Sequence, residues 1–513
     1  MTISRAGGRD RRLGLLTSPH IFSHHTIIIT LYWTNNTTRR ARARPRSRCL
    51  SGGPPHRDSS SSSMFALTRA TRVRVPSQRT SHRASSRRSL SSAIRAEDRS
   101  ASGGRSDAAP VFARLAPPRD ALDAFNARCA GELWLAPLTK GGNLPFRRLV
   151  AEEFGAKVTV SEMAFARFLL RGNRVERARL RRTNDASLGG VFGAQIATNA
   201  IAEGVRAGIM IAESGDVDFL DLNCGCPIHE TWKRGLGAAL LKKPAKLERL
   251  VEGIANGVPL PLTVKIRLGI DSVTPARRIA ESLENAGAAA IIIHGRTKEQ
   301  RYTKSSDWDA IREIVSERNI PIIGNGDILT YYEARDRIEA SGVAACMTGR
   351  GALIKPWIFQ EFRENKAWEP TTEERVGVYH RLRELMRECW GDDTIGKERF
   401  DTFMPWHLGF FCRYRPLPES VFGGRALDDP LLQSRLGLAV DGEGDFNDLP
   451  IVEQLLRCES EDAHAAISEI LWNSDTAGNA MDALESAAKA SLKTWQEQVA
   501  AGDRGSSDDT IRG

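Results

Sequence analysis

Polar or reactive residues lie in or at the ends of five consecutive apolar runs of this sequence, and most of them are flanked by glycine. A thiol, an ammonium, an imidazole and a guanidinium at such places could perform acid–base chemistry and bind an anion. Core packing does not account for polar residues at five successive run ends, so we expect them to converge on one site. The clusters are Asn223-Cys224-Gly225-Cys226-Pro227, Lys265 with Arg267, His294-Gly295-Arg296, Asn325-Gly326-Asp327 and Gly349-Arg350-Gly351.

Cys226 is the candidate proton donor. Gly225 and Pro227 flank it and predict a tight, exposed turn. A cysteine thiol with its ordinary pKa of about 8.5 is mostly protonated at neutral pH, which suits proton donation better than nucleophilic attack. Cys224 is expected to pack inward as a small apolar residue. The Cys-x-Cys spacing has no companion ligands for zinc, so we predict no metal site.

Lys265 and His294 each admit two interpretations. Lys265 lies in an apolar run, where an ammonium needs an anionic partner. That partner is either a carboxylate of the protein, such as Glu162 or Asp221, or a cofactor with phosphate or electron-rich ring atoms. His294 is either a satisfied core histidine or a cofactor contact, and its place at the end of a run favours the contact.

The elements that would position these residues are eight short apolar runs between Leu133 and Gly351, separated by segments with helical spacing. Most runs are continuous rather than alternating, which is typical of parallel strands buried on both faces. Eight such units over about 220 residues predict an α/β fold of the (β/α)8 TIM-barrel type, with a doubly wound open sheet as the alternative. The runs are Leu133–Pro137, Val158–Met163, Gly190–Ile196, Val217–Cys224, Leu262–Leu268, Ala289–Gly295, Pro321–Asp327 and Ala344–Arg350.

Glycine-rich clusters alone are weak evidence of a binding site, but their positions in a barrel make them candidate phosphate-binding turns. Active sites of such barrels lie at the C-terminal ends of the strands, with phosphate bound after the last two. Gly326 and Gly349 would let backbone N–H groups approach an anion there, and Arg350 would supply a cation.

Helical signals replace strand signals after Trp357. Thr371 and Glu374 form a capping-box pattern, and a second helix is predicted from Ile451 through Trp472. We therefore predict a smaller all-helical domain after the barrel. The predicted boundaries are 131–365 for the barrel, 366–475 for the helical domain and 476–513 for a C-terminal helix with a polar tail.

Residues 1–100 form an Arg/Ser-rich extension whose composition predicts disorder, and residues 101–130 are expected to be a linker. Residues 1–95 hold 19 Arg, no Lys and two acids, a net charge of +17. Because the whole chain has a net charge of +10, the remainder carries −7, so bulk charge does not indicate nucleic-acid binding.

The extension also bears on location. From Met64 the composition is typical of an organelle transit peptide, and one hypothesis is that translation begins there and that the protein enters a chloroplast or mitochondrion. The alternative is an ordinary disordered tail on a cytoplasmic or nuclear protein. Eight scattered Cys without a disulfide framework predict a reducing, intracellular compartment. We expect no membrane segment, and no obligate protein partner is evident.

The run Asp221-Leu-Asn-Cys-Gly-Cys-Pro227 resembles the signature of the tRNA-dihydrouridine synthase family, and the resemblance spans residues 131–415. Further similar runs are Leu135-Ala-Pro-Leu-Thr139, Val264-Lys-Ile-Arg267, His294-Gly-Arg296 and Gly324-Asn-Gly-Asp327. Within the family the chain is most similar to the eukaryotic subfamily that modifies a variable-loop uridine. That similarity rests on Gln300-Arg-Tyr-Thr-Lys304, Asp307-Trp308, Ala352-Leu-Ile-Lys-Pro-Trp357 and Phe411-Cys-Arg-Tyr-Arg415.

The resemblance implies FMN as cofactor, NADPH as electron donor and tRNA as partner. Hydride from FMN would add to C6 of one uridine and Cys226 would protonate C5, on a base extruded from the RNA. The helical domain would take part in tRNA binding. The implied cofactor residues are Pro137, Leu138 and Thr139 under the flavin ring, Gln195, Lys265 and His294 at its polar edge and ribityl chain, Asn223 beside it, and Asn325, Gly326, Asp327, Gly349 and Arg350 at the phosphate. Candidate RNA phosphate contacts are Lys233, Arg234, Arg296, Lys298, Arg301 and Lys304, with a solvated charged face as the alternative.

Two departures from the family pattern stand out. Leu138 occupies a position where Met is common. Members of the similar subfamily often carry a Cys/His zinc-finger region before the barrel, whereas here only Cys49 and Cys129 precede it. This leaves tRNA capture to the barrel and the helical domain.

Two rival functions remain. One is a flavin barrel that acts on a free pyrimidine, similar to dihydroorotate dehydrogenase, and the basic 296–304 segment argues against it. The other is a catalytically silent tRNA-binding protein, and the retention of Cys226 with Lys265 and Arg350 argues against that.

Overall fold

The computed structural model describes residues 115–182, 190–433 and 445–502. The predictions for residues 1–100, including the start at Met64, lie outside the described residues.

A closed barrel of parallel strands lies at the centre of the described chain. Its strands are β1 (Leu133–Leu135), β2 (Val158–Val160), β3 (Ala164–Phe165), β4 (Val191–Ala197), β5 (Phe219–Cys224), β6 (Leu262–Gly269), β7 (Ala290–Thr297), β8 (Ile322–Asn325) and β9 (Ala345–Thr348). They are ordered β2-β1-β9-β8-β7-β6-β5-β4-β3, and β2 also pairs with β4, which closes the sheet. β3 is a two-residue addition beside the end of β4. Each of the other eight strands coincides with one of the eight apolar runs, although β4, β6 and β7 extend one or two residues past the predicted ends, so the TIM-barrel prediction is confirmed.

The continuous apolar runs reflect two buried faces. On β7, Ile291 and Ile293 pack outward against the helices, while Ile292 packs inside the barrel. Phe219 fills the barrel floor, because a Cβ atom at Gly193 would lie 2.2 Å from its ring. Both faces of each strand therefore exclude water, as a parallel sheet requires.

Helices cover the barrel and then form a bundle of their own. The α-helices are α1 (Arg119–Cys129), α2 (Leu144–Arg148), α3 (Ala166–Leu170), α4 (Arg174–Arg179), α5 (Ile201–Ser214), α6 (His229–Lys233), α7 (Pro244–Gly257), α8 (Ala276–Asn285), α9 (Trp308–Glu317), α10 (Tyr331–Ser341), α11 (Arg350–Ile354), α12 (Ile358–Glu364), α13 (Thr372–Trp390), α14 (Thr394–Phe411), α15 (Glu419–Phe422), α16 (Ile451–Leu456), α17 (Glu461–Asn473) and α18 (Ala477–Ala500). A π-helical turn spans Leu149–Glu153, and 3-10 turns span Gly237–Lys242 and Phe446–Asp448. None of the described helices combines the length and apolar composition needed to cross a bilayer.

Helix α1 lies in the segment predicted to be a linker, so that prediction is wrong for residues 119–129. The ring of Phe125 lies 5.1 Å from that of Phe219, and Trp134 donates its indole N–H to the Cys129 carbonyl at 3.1 Å. Helix α1 therefore closes the N-terminal end of the barrel, a long-range contact that local composition does not reveal.

In the helical bundle the predicted capping box is present, whereas one predicted helix is divided into two. Thr371 accepts a hydrogen bond from the Glu374 N–H, and the Glu374 carboxylate accepts one from the Thr371 N–H. The single helix predicted from Ile451 through Trp472 is wrong, because the chain forms α16 and α17 with a break between them. Ser460 caps α17 by accepting from the Ala463 N–H, which ends helical geometry before it.

The segment from 412 to 433 returns from the bundle to the barrel. Glu419 accepts from the Tyr331 hydroxyl at 2.6 Å and pairs with Arg335, both on α10. The Leu431 N–H donates to Glu333 at 3.0 Å, so the end of this segment packs on the first turn of α10.

Candidate active site

A cavity of about 490 Å³ opens at the C-terminal ends of the barrel strands. The strand ends and the loops after them form most of its wall, as expected for this fold. The structure brings together there every residue that the sequence predicts as catalytic or cofactor-binding. These are Pro137, Leu138, Thr139, Gln195, Asn223, Cys226, Lys265, His294, Asn325, Gly326, Asp327, Gly349 and Arg350.

Cys226 is half-buried on the loop after β5. Its N–H donates to Asn223 Oδ1 at 3.0 Å, its carbonyl accepts from the Ala238 N–H at 3.0 Å, and its Sγ lies 3.5 Å from the Thr231 hydroxyl. Gly237 packs against the same residue with φ of +59°. The thiol is therefore held in place by its backbone while its side chain reaches the cavity. Cys224 is fully buried, as predicted, and burial raises the pKa of its thiol.

A chain of hydrogen bonds leads from this loop into the barrel. Asn223 donates through Nδ2 to Gln195 Oε1 at 2.8 Å, and Gln195 donates through Nε2 to Asp221 Oδ2 at 2.7 Å. Asp221 also accepts from the Thr263 hydroxyl at 2.6 Å. Burial raises the pKa of Asp221 to about 6, against the opposing effects of these hydrogen bonds and the charge of Lys265.

Lys265 extends from β6 and donates to Asn325 Oδ1 at 2.8 Å, while Asn325 donates to the Met347 carbonyl at 2.8 Å. Burial lowers the pKa of Lys265 to about 8, and Asp221 opposes that change. Among the described residues Lys265 forms no ion pair with Glu162 or Asp221, so the alternative of a structural ion pair is not realised. The ammonium keeps protons available for a group in the cavity.

His294 is neutral in this setting. Burial lowers the pKa of its imidazole, and the surrounding cations, among them Arg267 and Lys265, lower it further. Its Nε2 lies 3.2 Å from Arg296 Nη1. Since a guanidinium only donates, Nε2 is the acceptor and the ring proton lies on Nδ1.

Asp327 and Arg296 form a buried ion pair at the last strands. Arg296 Nη2 lies 2.7 Å and 2.5 Å from the two carboxylate oxygens of Asp327, and both side chains are fully buried. The same carboxylate accepts from Arg350 at 3.1 Å and from Gln433 at 3.0 Å. The Asp327 carboxylate therefore holds Arg350 in place, and its charge would repel a phosphate, so any contribution of this residue to phosphate binding would come from its backbone N–H and stays a prediction.

Arg296 was predicted as an RNA phosphate contact, and the structure contradicts this because no part of its side chain is exposed. Lys298 is half-buried, 4.5 Å above the Trp232 ring and paired with Glu299. The remaining candidates are exposed near the cavity on α6 and on the loop after β7. They are Lys233, Arg234, Arg301 and Lys304.

The sequence did not reveal an apolar part of the wall. Trp406 and Phe410 of α14 line the cavity with their rings 4.8 Å apart, and Leu353 of α11 lies beside them. A Cβ atom at Gly141 would lie 2.6 Å from the Trp406 ring, so this glycine allows α14 to approach the barrel. Tyr302 also lines the cavity, with the Arg350 guanidinium 4.2 Å from its ring centre. Gly141 and Gly142 were the only local sequence signal that another element packs closely against the barrel there.

The chain is thus a parallel (β/α)8-barrel protein in which a thiol loop, a strand lysine and an Arg–Gly turn surround one cavity at the C-terminal strand ends. The family model described as dihydrouridine synthase (Dus) matches residues 134–400. The chain therefore belongs to the dihydrouridine synthase family.

Several curated proteins are similar to this region. The chain is 40% identical over 290 residues to the rat (Rattus norvegicus) protein named tRNA-dihydrouridine(47) synthase [NAD(P)(+)]-like, covering 56% of this chain and 44% of the relative. It is 36% identical over 323 residues to the Arabidopsis thaliana protein of the same name, covering 60% of this chain and 46% of the relative. The chain thus spans less than half the length of these relatives.

Solved structures show weaker likeness. A variant of NCR from Zymomonas mobilis is 16% identical with a TM-score of 0.37, over 50% of this chain and 93% of that one. Histamine dehydrogenase from Rhizobium sp. 4-9 is 14% identical with a TM-score of 0.37, over 52% of this chain and 51% of that one.

Proposed function

We propose that this protein reduces a uridine of tRNA to 5,6-dihydrouridine, with FMN as cofactor and NAD(P)H as electron donor. The observation that carries the proposal is the Cys226 thiol at the mouth of a cavity that also contains Lys265 and Arg350. The names of the relatives support the reaction and the donor, and they point to NADPH or NADH without distinguishing between them.

The chemistry of the cavity fits FMN. Lys265 and Gln195 would offer polar groups to the flavin ring, and Trp406 and Phe410 would offer it an apolar surface. Gly349 and Arg350 follow β9, where barrels of this class bind phosphate. When bound, FMN would supply the hydride that reduces the C5=C6 bond of uracil.

Cys226 would supply the proton. The C5=C6 bond of uracil is conjugated to the C4 carbonyl, so addition at C6 leaves negative charge that is relieved by protonation at C5. The loop hydrogen bonds to Asn223 and Ala238 fix the backbone of Cys226, so the thiol meets the ring in one orientation. The uridine must leave the RNA stack to enter the cavity.

RNA binding would rest on the exposed cations beside the cavity: Lys233, Arg234, Arg301 and Lys304. The helical domain is proposed to assist, although residues 366–475 contain 12 Lys and Arg against 22 Asp and Glu. Its contribution therefore has to come from local arginine clusters, because an acidic surface repels phosphate. An organellar destination is proposed from the composition after Met64 alone.

The proposal also concerns metals. Among the described residues no group of three or more His, Cys, Asp and Glu is placed to hold a metal ion. We propose that catalysis needs no protein-bound metal, so protein treated with EDTA and returned to a buffer with Mg²⁺ alone, which keeps the tRNA folded, should form product at an unchanged rate.

The test is dihydrouridine formation in a tRNA transcript incubated with purified protein, FMN and NADPH. Replacing Cys226 by Ala should lower the rate by about 10²–10⁴-fold, the usual contribution of a positioned general acid. Cys389→Ala is the matched control, because Cys389 is a half-buried thiol outside the cavity. Equal rates for the wild type and Cys226→Ala would contradict the proposal. Reduction of free uracil but not of tRNA would favour the rival free-pyrimidine enzyme.

A further inference from the structure

Asp221 is a fully buried carboxylate inside the barrel for which the proposed reaction has no use. It does not line the cavity and forms no ion pair among the described residues. Burying a carboxylate is costly unless hydrogen bonds compensate. Asp221 accepts two hydrogen bonds, from Thr263 and from Gln195, and it is the last acceptor in the series of hydrogen bonds that begins at Cys226.

The Asp221 carboxylate sets the direction of the hydrogen bonds that lead to it. An ionised carboxylate only accepts hydrogen bonds, so the Gln195 amide must turn its Nε2 toward Asp221. Its Oε1 then faces Asn223 and accepts from Nδ2. As a result Asn223 Oδ1 faces the loop, where it accepts from the N–H groups of Cys226 at 3.0 Å and Gly225 at 3.3 Å.

We propose that Asp221 is a positioning residue that holds the Cys226 loop through the oriented amides of Gln195 and Asn223. The proposal deepens the proposed function, since it explains how the thiol is kept in one place. The competing explanation is that Asp221 only completes the packing of the barrel interior. If Asp221 positions the loop, a change at position 221 alters the reactivity of the Cys226 thiol. If Asp221 only completes the packing, the change alters the stability of the fold and leaves the thiol as it was.

Asp221→Leu keeps a similar side-chain volume and removes the acceptor at which the hydrogen bonds end. Gln195 would lose the hydrogen bond that anchors and orients its amide, so Asn223 would be anchored less firmly and the loop would lose part of its hold. Alkylation of Cys226 by iodoacetamide should become about fivefold faster, the effect of losing one hydrogen bond.

The measurement uses the full-length purified protein, with and without FMN, and quantifies alkylation of the Cys226 peptide by mass spectrometry. Cys389 serves as the reference thiol in the same samples, because it lies outside the cavity. Thr263→Val is the matched control variant, since it removes the other donor to Asp221 and leaves the direction of the amides unchanged. It should lower the melting temperature without changing the alkylation of Cys226 relative to Cys389.

A compensating variant distinguishes orientation from packing. In Asp221→Leu/Gln195→Glu the carboxylate stands at position 195 instead of 221, accepts from Asn223 Nδ2 and keeps Asn223 Oδ1 turned to the loop. The double variant should return the alkylation rate of Cys226 to within twofold of the wild type, a residual effect smaller than one hydrogen bond. Gln195→Glu alone sets two carboxylates against each other and should not.

An unchanged Cys226 rate in Asp221→Leu, or a raised rate that the double variant does not restore, would overturn the proposal. If Asp221→Leu does not fold, Gln195→Leu interrupts the same series of hydrogen bonds and should give the same faster alkylation. The readout needs no tRNA, NADPH or turnover. A protein that makes no dihydrouridine could therefore still show the Asp221 effect, and the two proposals fail separately.

Discussion

The buried pair of Asp327 and Arg296 gives the sharpest prediction about stability. The Asp327 carboxylate accepts from Arg296 at 2.7 and 2.5 Å, from the Ser306 N–H at 2.7 Å, from Gln433 at 3.0 Å and from Arg350 at 3.1 Å. Replacing Asp327 by Ala removes all of these at once. It also leaves the fully buried Arg296 guanidinium without its carboxylate.

The expected loss is about 3–5 kcal/mol in the free energy of unfolding, the usual cost of leaving one buried charge unpaired. The matched control is Asp309→Ala, which removes an ion pair with Arg312 at 2.9 Å whose side chains are 81% and 60% exposed. That loss should stay below about 1 kcal/mol, because solvent screens exposed pairs. Replacing both Arg296 and Asp327 by Leu should cost less than Asp327→Ala, because no charge is left behind.

The contribution of Asp327 to the free energy of unfolding depends on pH in one direction. Arg296 and Arg350 hold the pKa of Asp327 below its ordinary value despite its burial. Its contribution to stability is therefore complete above the unfolded pKa of about 3.9 and is lost as the pH falls through the folded pKa. The difference between the wild type and Asp327→Ala should be constant from neutral pH to about pH 5 and shrink in stronger acid.

The assay is urea unfolding followed by circular dichroism at pH 7, with the denaturant slopes compared to exclude a changed unfolded state. A loss for Asp327→Ala within about 1 kcal/mol of that for Asp309→Ala would refute the reasoning, since the buried pair would then count no more than an exposed one.

Two further predictions use single side chains. A Cβ atom at Gly237 would lie 2.6 Å from the Cys226 carbonyl oxygen. Gly237→Ala should therefore lower the rate of dihydrouridine formation at least tenfold, about the effect of misplacing a reacting group, while Gly478→Ala, which has room, should not. His407 is fully buried with its pKa lowered to about 3, so the unfolded chain takes up its proton first as the pH falls below about 6.5. Between pH 7 and pH 5 the wild type should lose about 2 kcal/mol of unfolding free energy that His407→Phe retains, and equal losses in urea unfolding would count against the buried neutral ring.

The sequence predicted the barrel because its signal is local. Each inner strand is apolar on both faces, so a continuous run such as residues 290–293 identifies a strand without knowledge of its neighbours. The barrel then dictates that the strand ends meet, which is why Cys226, Lys265 and Arg350 could be assigned to one site from scattered positions.

The features that the sequence did not predict depend on contacts between distant segments. Arg296 looks the same in sequence whether it faces solvent or Asp327, because charge type does not encode exposure. The composition around helix α1 predicts a linker, because its two apolar anchors, Phe125 and Cys129, are recognisable as core residues only when the barrel floor beside them is known. The break before α17 depends on one cap, Ser460, in an otherwise helical pattern.

The same long-range contacts change how the helical domain should be understood. Trp406 and Phe410 form part of the cavity wall, and Gln433 donates to the carboxylate that holds Arg350. A barrel ending at residue 365 would lack all three. Since residues 366–475 are also rich in acids, their surface is poorly suited to general phosphate binding. Residues of this domain therefore complete the cavity, and its orientation on the barrel determines the shape of the site.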